Sequence, residues 1–128
     1  MAIGVWTPNR NQPLALEDVM GLLDALPDAP IDDLGSIEPS NFGDYRLWMT
    51  TAHDQWRFAA ELKVSALEQL IRFFTLAERD WPGWEAGKSS PVIPLVAALK
   101  ARQQFDADFR RWIKSHTDNR YLPNGAVI

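Results

Sequence analysis

The stretch AHDQWRFAAELKVSALEQLIRFFTLAER, residues 52–79, decides the fold. If it is wound as one α-helix, its polar and apolar residues separate onto opposite faces. One face is polar at all of its positions: Arg57, Glu61, Ser65, Glu68, Arg72, Thr75 and Arg79. The opposite face is apolar throughout: Trp56, Ala60, Val64, Leu67, Ile71 and Phe74. The sequence therefore predicts a long central helix, approximately 52–79, with the other segments packed around it.

A β-hairpin at 45–64 is the alternative, because apolar residues there also alternate with polar ones as they do in strands. The residues between the two alternating runs lack the Asn-Gly or Asp-Gly pair of tight hairpin turns. The run AAELK at 59–63 also consists of strong helix formers. The helix is favoured, and an α+β fold stays the alternative.

Two capping-box patterns affect where the central helix begins. Thr51 with Asp54 predicts a start at the beginning of the stretch, and Ser65 with Glu68 forms a second pattern. A break near Val64 therefore stays open. We expect one continuous helix.

Three further helices are predicted around the central one. The first begins at Ala15, with apolar residues every three or four positions, and Pro27 ends it. The next spans 91–103 after a Ser-Pro start, and the last spans 106–116 after an aspartate that can cap it. Together these features predict a mainly α, compact single-domain bundle of about four helices over residues 1–128.

The segments outside the helices contain the residues that break regular structure. Residues 27–43 hold three prolines and two glycines without a regular apolar period, which predicts a long surface spacer. We expect an irregular arm at 1–14 and an extended tail at 117–128.

Composition excludes several classes of protein. Hydrophobic residues make up 46% and charged residues 23%, which is typical of globular domains. There is no cysteine, which excludes disulfides, thiolate metal sites and cysteine nucleophiles. No apolar run approaches the roughly 20 residues of a membrane span, and the start MAIGVWTPNR lacks the pattern of a secretory signal. We therefore expect a cytoplasmic protein with no membrane partner.

Charge is distributed unevenly along the chain. The net charge of −4 argues against general affinity for nucleic acid. Residues 1–60 carry nine acidic and three basic residues, whereas 88–128 carry seven basic and three acidic ones. One end is acidic and the other is basic.

Residues 83–89, GWEAGKS, resemble a phosphate-binding P-loop shortened by one residue. The complete motif has four residues between its glycines, follows a strand, and continues directly into a helix. Here three residues separate the glycines, a predicted helix precedes them, and Pro91 follows, so we do not predict nucleotide binding. Free N–H groups at the next helix start make Lys88, Ser89 and Ser90 candidates for holding another anion.

Two histidine-containing sequences raise the question of an enzyme. His53-Asp54 resembles the dipeptide of metal-dependent HD phosphohydrolases, whose site needs further histidines, and His116 is the only other one. His116-Thr117-Asp118 offers a base with an orienting acid but no nucleophile. We therefore predict no catalytic residue, no metal ligand and no cofactor. A small hydrolase assembled from distant residues is the remaining enzyme alternative.

The last predicted helix has a basic outer face, formed by Arg110, Arg111 and Lys114. With the helix before it, it has the outline of a helix-turn-helix. Asp106 and Asp108 occupy its start, however, where they would repel phosphates. Nucleic-acid binding through this face is the alternative function. It predicts an affinity for DNA or RNA that falls steeply as the salt concentration rises.

Six tryptophans are many for 128 residues. Trp81 and Trp84 lie in a proline- and glycine-containing loop, where they either clamp the loop onto the central helix or remain exposed as anchors for a partner. The favoured function is a small helical protein-interaction module, a subunit or regulator of a larger assembly, with no catalytic activity. The predicted partner-binding residues are Trp81, Trp84, Lys88, Arg110, Arg111 and Lys114.

Overall fold

The computed structural model describes residues 14–35 and 37–123, and these contain helices and no β-strand. The α-helices are α1 (Leu16–Ala25), α2 (Val64–Asp80), α3 (Val92–Ala101) and α4 (Ala107–His116). Shorter 3₁₀ helices lie at Pro39–Asn41, Gly43–Thr50, His53–Glu61 and Gly87–Ser89. The predicted mainly α bundle is confirmed, and the hairpin alternative at 45–64 is wrong. The predicted arm up to residue 13 and the tail beyond residue 123 lie outside the described residues.

The central α-helix begins later than the sequence predicts. Its α-helical part starts at Val64, and His53–Glu61 before it is a 3₁₀ helix. The two residues between them, Leu62 and Lys63, are extended, with ψ angles of 151° and 150°. Neither predicted capping residue precedes a helix: the residues at those positions are Ala52 and Lys63, and Ser65 lies inside α2. The Thr51 hydroxyl donates to the backbone oxygen of Leu47 at 3.0 Å.

Arg102, at the end of α3, stabilises the break between the 3₁₀ helix and α2. Its guanidinium donates hydrogen bonds to the backbone oxygens of Ala59, at 2.9 Å, and of Ala60 and Leu62. In a continuous α-helix each of these oxygens would accept from the N–H four residues further on. The guanidinium takes the place of those donors, although the Ala59 oxygen also accepts from the Leu62 N–H at 3.1 Å. The 3₁₀ helix ends there and packs beside α3.

Replacing Arg102 by methionine, which keeps the apolar stem, is expected to lower the free energy of unfolding by about 2–3 kcal/mol. The reason is that three backbone oxygens lose a charged donor. Lysine should restore less than half of the loss, because an ammonium group cannot reproduce the planar fork of donors. Urea unfolding measures the effect. An Arg102→Met loss no larger than that of the exposed control Arg110→Met would contradict this role.

Helix α2 forms the centre of the core and contacts α1, α3 and α4. Its side chains at Leu67, Leu70, Ile71, Phe73 and Phe74 are fully buried. The predicted polar face is not entirely solvated, because Thr75 is buried. The apolar sector of α2 is wide because the helix packs against neighbours on several sides. None of the helices in the described part of the chain combines the length and apolar character that crossing a bilayer requires.

The flanking helices follow their local signals. α1 ends at Ala25, before Pro27, and packs through Val19 and Leu22. α3 starts after Pro91, as predicted. The spacer between α1 and the first 3₁₀ helix is fixed to the core by buried Ile31 and Leu34.

Candidate functional site

The outer face of α4 carries the basic side chains singled out in the sequence. Asp106 caps the helix by accepting a 2.8 Å hydrogen bond from the Phe109 backbone N–H, as predicted. Arg110, Arg111 and Lys114 are all exposed. Arg111 forms an ion pair with Asp108, whereas Arg110 and Lys114 have no ion-pair partner among residues 14–35 and 37–123. We call Arg110, Arg111 and Lys114 the basic face.

The inner side of α4 is fixed to the body of the protein by a polar bracket. Asp32, in the spacer, accepts hydrogen bonds through one carboxylate oxygen from Arg72 at 2.9 Å and from the Trp112 ring N–H at 3.0 Å. The Arg72 guanidinium lies 4.6 Å from the centre of the Trp112 ring and 5.2 Å from that of Phe109. A cation over an aromatic face is attracted by the ring quadrupole. We call Asp32, Arg72 and Trp112 the bracket, and it joins three separate segments of the chain.

His116 is the last residue of α4. The His116 ring stacks on the Trp112 ring, with 4.2 Å between their centres and 16° between their planes. Its Nδ1 lies 2.7 Å from the Trp112 backbone oxygen and 2.9 Å from the Ser115 hydroxyl. His116 therefore has a structural place at the helix end. Among the described residues, the partners of the His116 ring are Ser115 and Trp112 and do not include Asp118. The predicted pairing of this base with an orienting acid therefore has no support.

Trp81 and Trp84 are buried, with 7% and 4% of their surfaces exposed. Their rings pack against each other, with 5.1 Å between centres, and both contact Phe73 of α2. They clamp the loop onto the central helix, so the expectation of exposed aromatic anchors is corrected. The physical reason is that two large rings gain more from joining the core than from contact with water.

The loop after Trp84 already holds an anion, the carboxylate of Glu78. One oxygen of Glu78 accepts hydrogen bonds from the backbone N–H groups of Ala86, at 2.7 Å, and Gly87, at 3.0 Å. Gly87 has a φ of 57°, a conformation that suits glycine and that directs these N–H groups toward the carboxylate. The loop that resembles a phosphate-binding loop therefore does bind an anion through backbone N–H groups, but this anion is the Glu78 side chain of the same chain.

Backbone N–H groups at the start of α3 bond within the protein. The N–H groups of Ser89 and Ser90 bond to backbone oxygens, and the buried hydroxyl of Ser90 accepts from Val92 at 3.2 Å. The N–H of Ile93 bonds to the Ser90 oxygen. Ser89 and Ser90 are thus part of the helix start itself, and Lys88 is the exposed cation of the three predicted residues.

The segment after α4 is joined to this loop by Asn119. Its side-chain amide donates to Glu78 at 3.1 Å and to the Gly87 backbone oxygen at 2.8 Å. The structure thereby brings Lys88 near the segment that follows the basic face. The two predicted groups of partner-binding residues lie on neighbouring segments, even though the tryptophans between them are buried.

The remaining candidates, His53 and Asp54, lie at the start of a 3₁₀ helix. His53 is half-buried and its Nε2 has no hydrogen-bond partner, while Asp54 is exposed. Within the ranges that the structure describes, no three His, Asp or Glu residues are placed to hold a metal ion. A shallow depression of about 390 Å³ contains one ionisable lining residue, Glu38. Its lining consists of Ala25, Pro27, Ile37, Glu38, Asn41 and Phe42.

Comparison with protein-family models, with curated proteins and with solved structures finds no match to this chain.

Sequence reasoning missed the polar residues that hold the site in place. Glu68 lies four residues before Arg72, a spacing that allows an ion pair on a helix, yet Arg72 pairs with Asp32, 40 positions away. Glu78 and Asn119 are 41 positions apart. Spacing along the chain carries no signal for such contacts, because they depend on how the helices pack.

Proposed function

We propose that the chain is a small helical protein-interaction module, a subunit or regulator of a larger assembly, that binds an acidic surface of a partner protein through its basic face. The observation that carries this proposal is the pair Arg110 and Lys114, which are exposed one turn apart without an ion-pair partner in the described residues. Lys88 is exposed on the loop that Asn119, three residues after α4, contacts through the Gly87 oxygen.

The rigidity of α4 supports a binding role. The helix is capped by Asp106 and held from inside by the bracket, so its outer side chains project from a fixed backbone. A preorganised surface loses less conformational entropy on association than a flexible one. Charged residues at the rim of an interface mainly steer the partner and fix its orientation.

We also propose that the protein acts in the cytoplasm. A chain without cysteine needs no oxidising compartment for its folding.

The test is recovery of partners on the tagged full chain from a nuclease-treated lysate of the source cells. Arg110→Glu with Lys114→Glu should lower recovery of a partner protein about tenfold, since like charges at an interface repel. The matched control is Arg57→Glu with Lys63→Glu, which changes net charge equally on two exposed residues elsewhere and should leave recovery unchanged. Circular dichroism verifies that each variant is folded.

The competing function gives a different result. If the basic face binds nucleic acid, DNA or RNA is recovered without nuclease, its binding weakens steeply with salt, and no protein depends on Arg110 and Lys114. Equal recovery of every protein by the wild type and Arg110→Glu/Lys114→Glu would also reject the proposal.

A further inference from the structure

The outer face of α1 is unusual among the described surfaces. Glu17, Met20 and Asp24 are all exposed, and their spacing of three and four places them on one side of the helix. Met20, 45% exposed, is the only large hydrophobic side chain found exposed in the described parts of the chain. The opposite side of α1 is fixed to the core by buried Val19 and Leu22. We call Glu17, Met20 and Asp24 the acidic face.

The acidic face and the basic face have complementary charge. α1 contains acidic residues and no basic one, whereas the exposed side of α4 presents Arg110 and Lys114. Neither Glu17 nor Asp24 has an ion-pair partner among residues 14–35 and 37–123. Glu17 and Asp24 on the acidic face, and Arg110 and Lys114 on the basic face, are therefore charges that the described part of the chain leaves without an ion-pair partner.

We infer that the acidic face of one copy docks against the basic face of a second copy of this chain. The inference rests on the proposed function, because it takes the basic face as a protein-binding surface and names one occupant for it.

The dimensions of the two helices fit this arrangement. Both contain ten residues, so each is about 15 Å long. Glu17 and Asp24 are seven positions apart, about 10 Å along the axis, with Met20 between them. Arg110 and Lys114 are about 6 Å apart, and their long side chains can reach both carboxylates. Their apolar stems would then cover Met20.

The mode of association follows from the use of two different faces. Such a contact is head-to-tail, so it leaves one free acidic face and one free basic face on every pair. Further copies can add to these faces, and the average mass rises with concentration instead of stopping at a dimer. Exposed charges are screened by salt, so the association weakens as ionic strength rises.

The experiment is sedimentation of the full chain over a range of concentrations. In about 20 mM NaCl the weight-average mass should rise with concentration, and in about 500 mM NaCl the association should weaken at least fivefold. Glu17→Lys with Asp24→Lys, and separately Arg110→Glu with Lys114→Glu, should each abolish the rise. The control Arg57→Glu with Lys63→Glu should retain it.

The decisive experiment mixes the two charge-reversed variants. Their equimolar mixture should associate again, because the unchanged acidic face of one variant meets the unchanged basic face of the other. An interface between two identical faces would be abolished by only one of the two variants. A wild-type chain that stays monomeric at low salt, or a mixture that stays monomeric, would overturn the inference.

Failure here and failure of the proposed function are distinguishable. The variant Glu17→Lys/Asp24→Lys leaves the basic face intact, so it should still recover a separate partner protein from the lysate. If it does so while the wild type remains monomeric, the proposed function stands and the second copy is excluded as an occupant.

Discussion

Replacing Phe73 by alanine is expected to lower the free energy of unfolding by about 4 kcal/mol, as for other fully buried phenylalanines. The ring lies in the centre of α2 with no exposed surface. Its centre is 5.5 Å from that of Phe42, 5.6 Å from that of Trp81 and 6.0 Å from that of Trp84. Its removal leaves a cavity and takes away the platform on which the two tryptophans of the loop pack. Near-ultraviolet circular dichroism should therefore lose intensity together with stability.

The effect is measured by urea unfolding. Phe58→Ala provides the control, since this half-buried ring contacts Trp56 at the edge of the aromatic cluster, and we expect about half the loss. If Phe73→Ala is too unstable to purify, Phe73→Leu keeps most of the volume and should cost about 1–2 kcal/mol. A loss at position 73 no larger than that at position 58 would show that Phe73 does not organise the cluster.

Features that depend on neighbouring residues were predictable from the sequence. Pro27 lies just beyond α1, and Asp106 caps α4 through a bond only three residues long. Apolar spacing identified the buried side of α2 because helix geometry maps spacing directly onto a face. These signals fixed the class of the fold and the outward direction of Arg110 and Lys114.

Features that depend on distant partners were not predictable. The break before Val64 needs Arg102, whose partners lie 40 to 43 positions away. The tryptophans of the loop had two local interpretations, and only the position of Phe73 distinguishes them. Sequence spacing likewise gives no sign that Glu78 occupies the N–H groups of the loop, since a carboxylate eight or nine positions away has no fixed geometry relative to them.

A second large loss of stability is expected from Gln69→Leu, about 3 kcal/mol, because three backbone groups lose their partner at once. The Gln69 side chain is 8% exposed. Its oxygen accepts from the Ile31 N–H at 3.1 Å, and its nitrogen donates to the oxygens of Pro27, at 2.6 Å, and Ala29, at 2.9 Å. Leucine has a similar volume, so the change isolates the hydrogen bonds from packing.

Urea unfolding measures this loss against Gln104→Leu, the same substitution at an exposed position. The control should change the free energy of unfolding by no more than about 0.5 kcal/mol. Equal effects at the two positions would show that the amide of Gln69 does not fasten the spacer.

Gln69 also supports the candidate site, because the spacer it fastens carries Asp32 one residue after Ile31. If the spacer detaches, Asp32 loses Arg72 and Trp112, and the bracket behind the basic face opens. Gln69→Leu and Asp32→Ala should therefore be coupled, with a double-variant loss smaller than the sum of the single losses by about 1 kcal/mol. Gln104→Leu combined with Asp32→Ala should be additive. Additivity of Gln69→Leu with Asp32→Ala would mean that α4 keeps its position without the spacer.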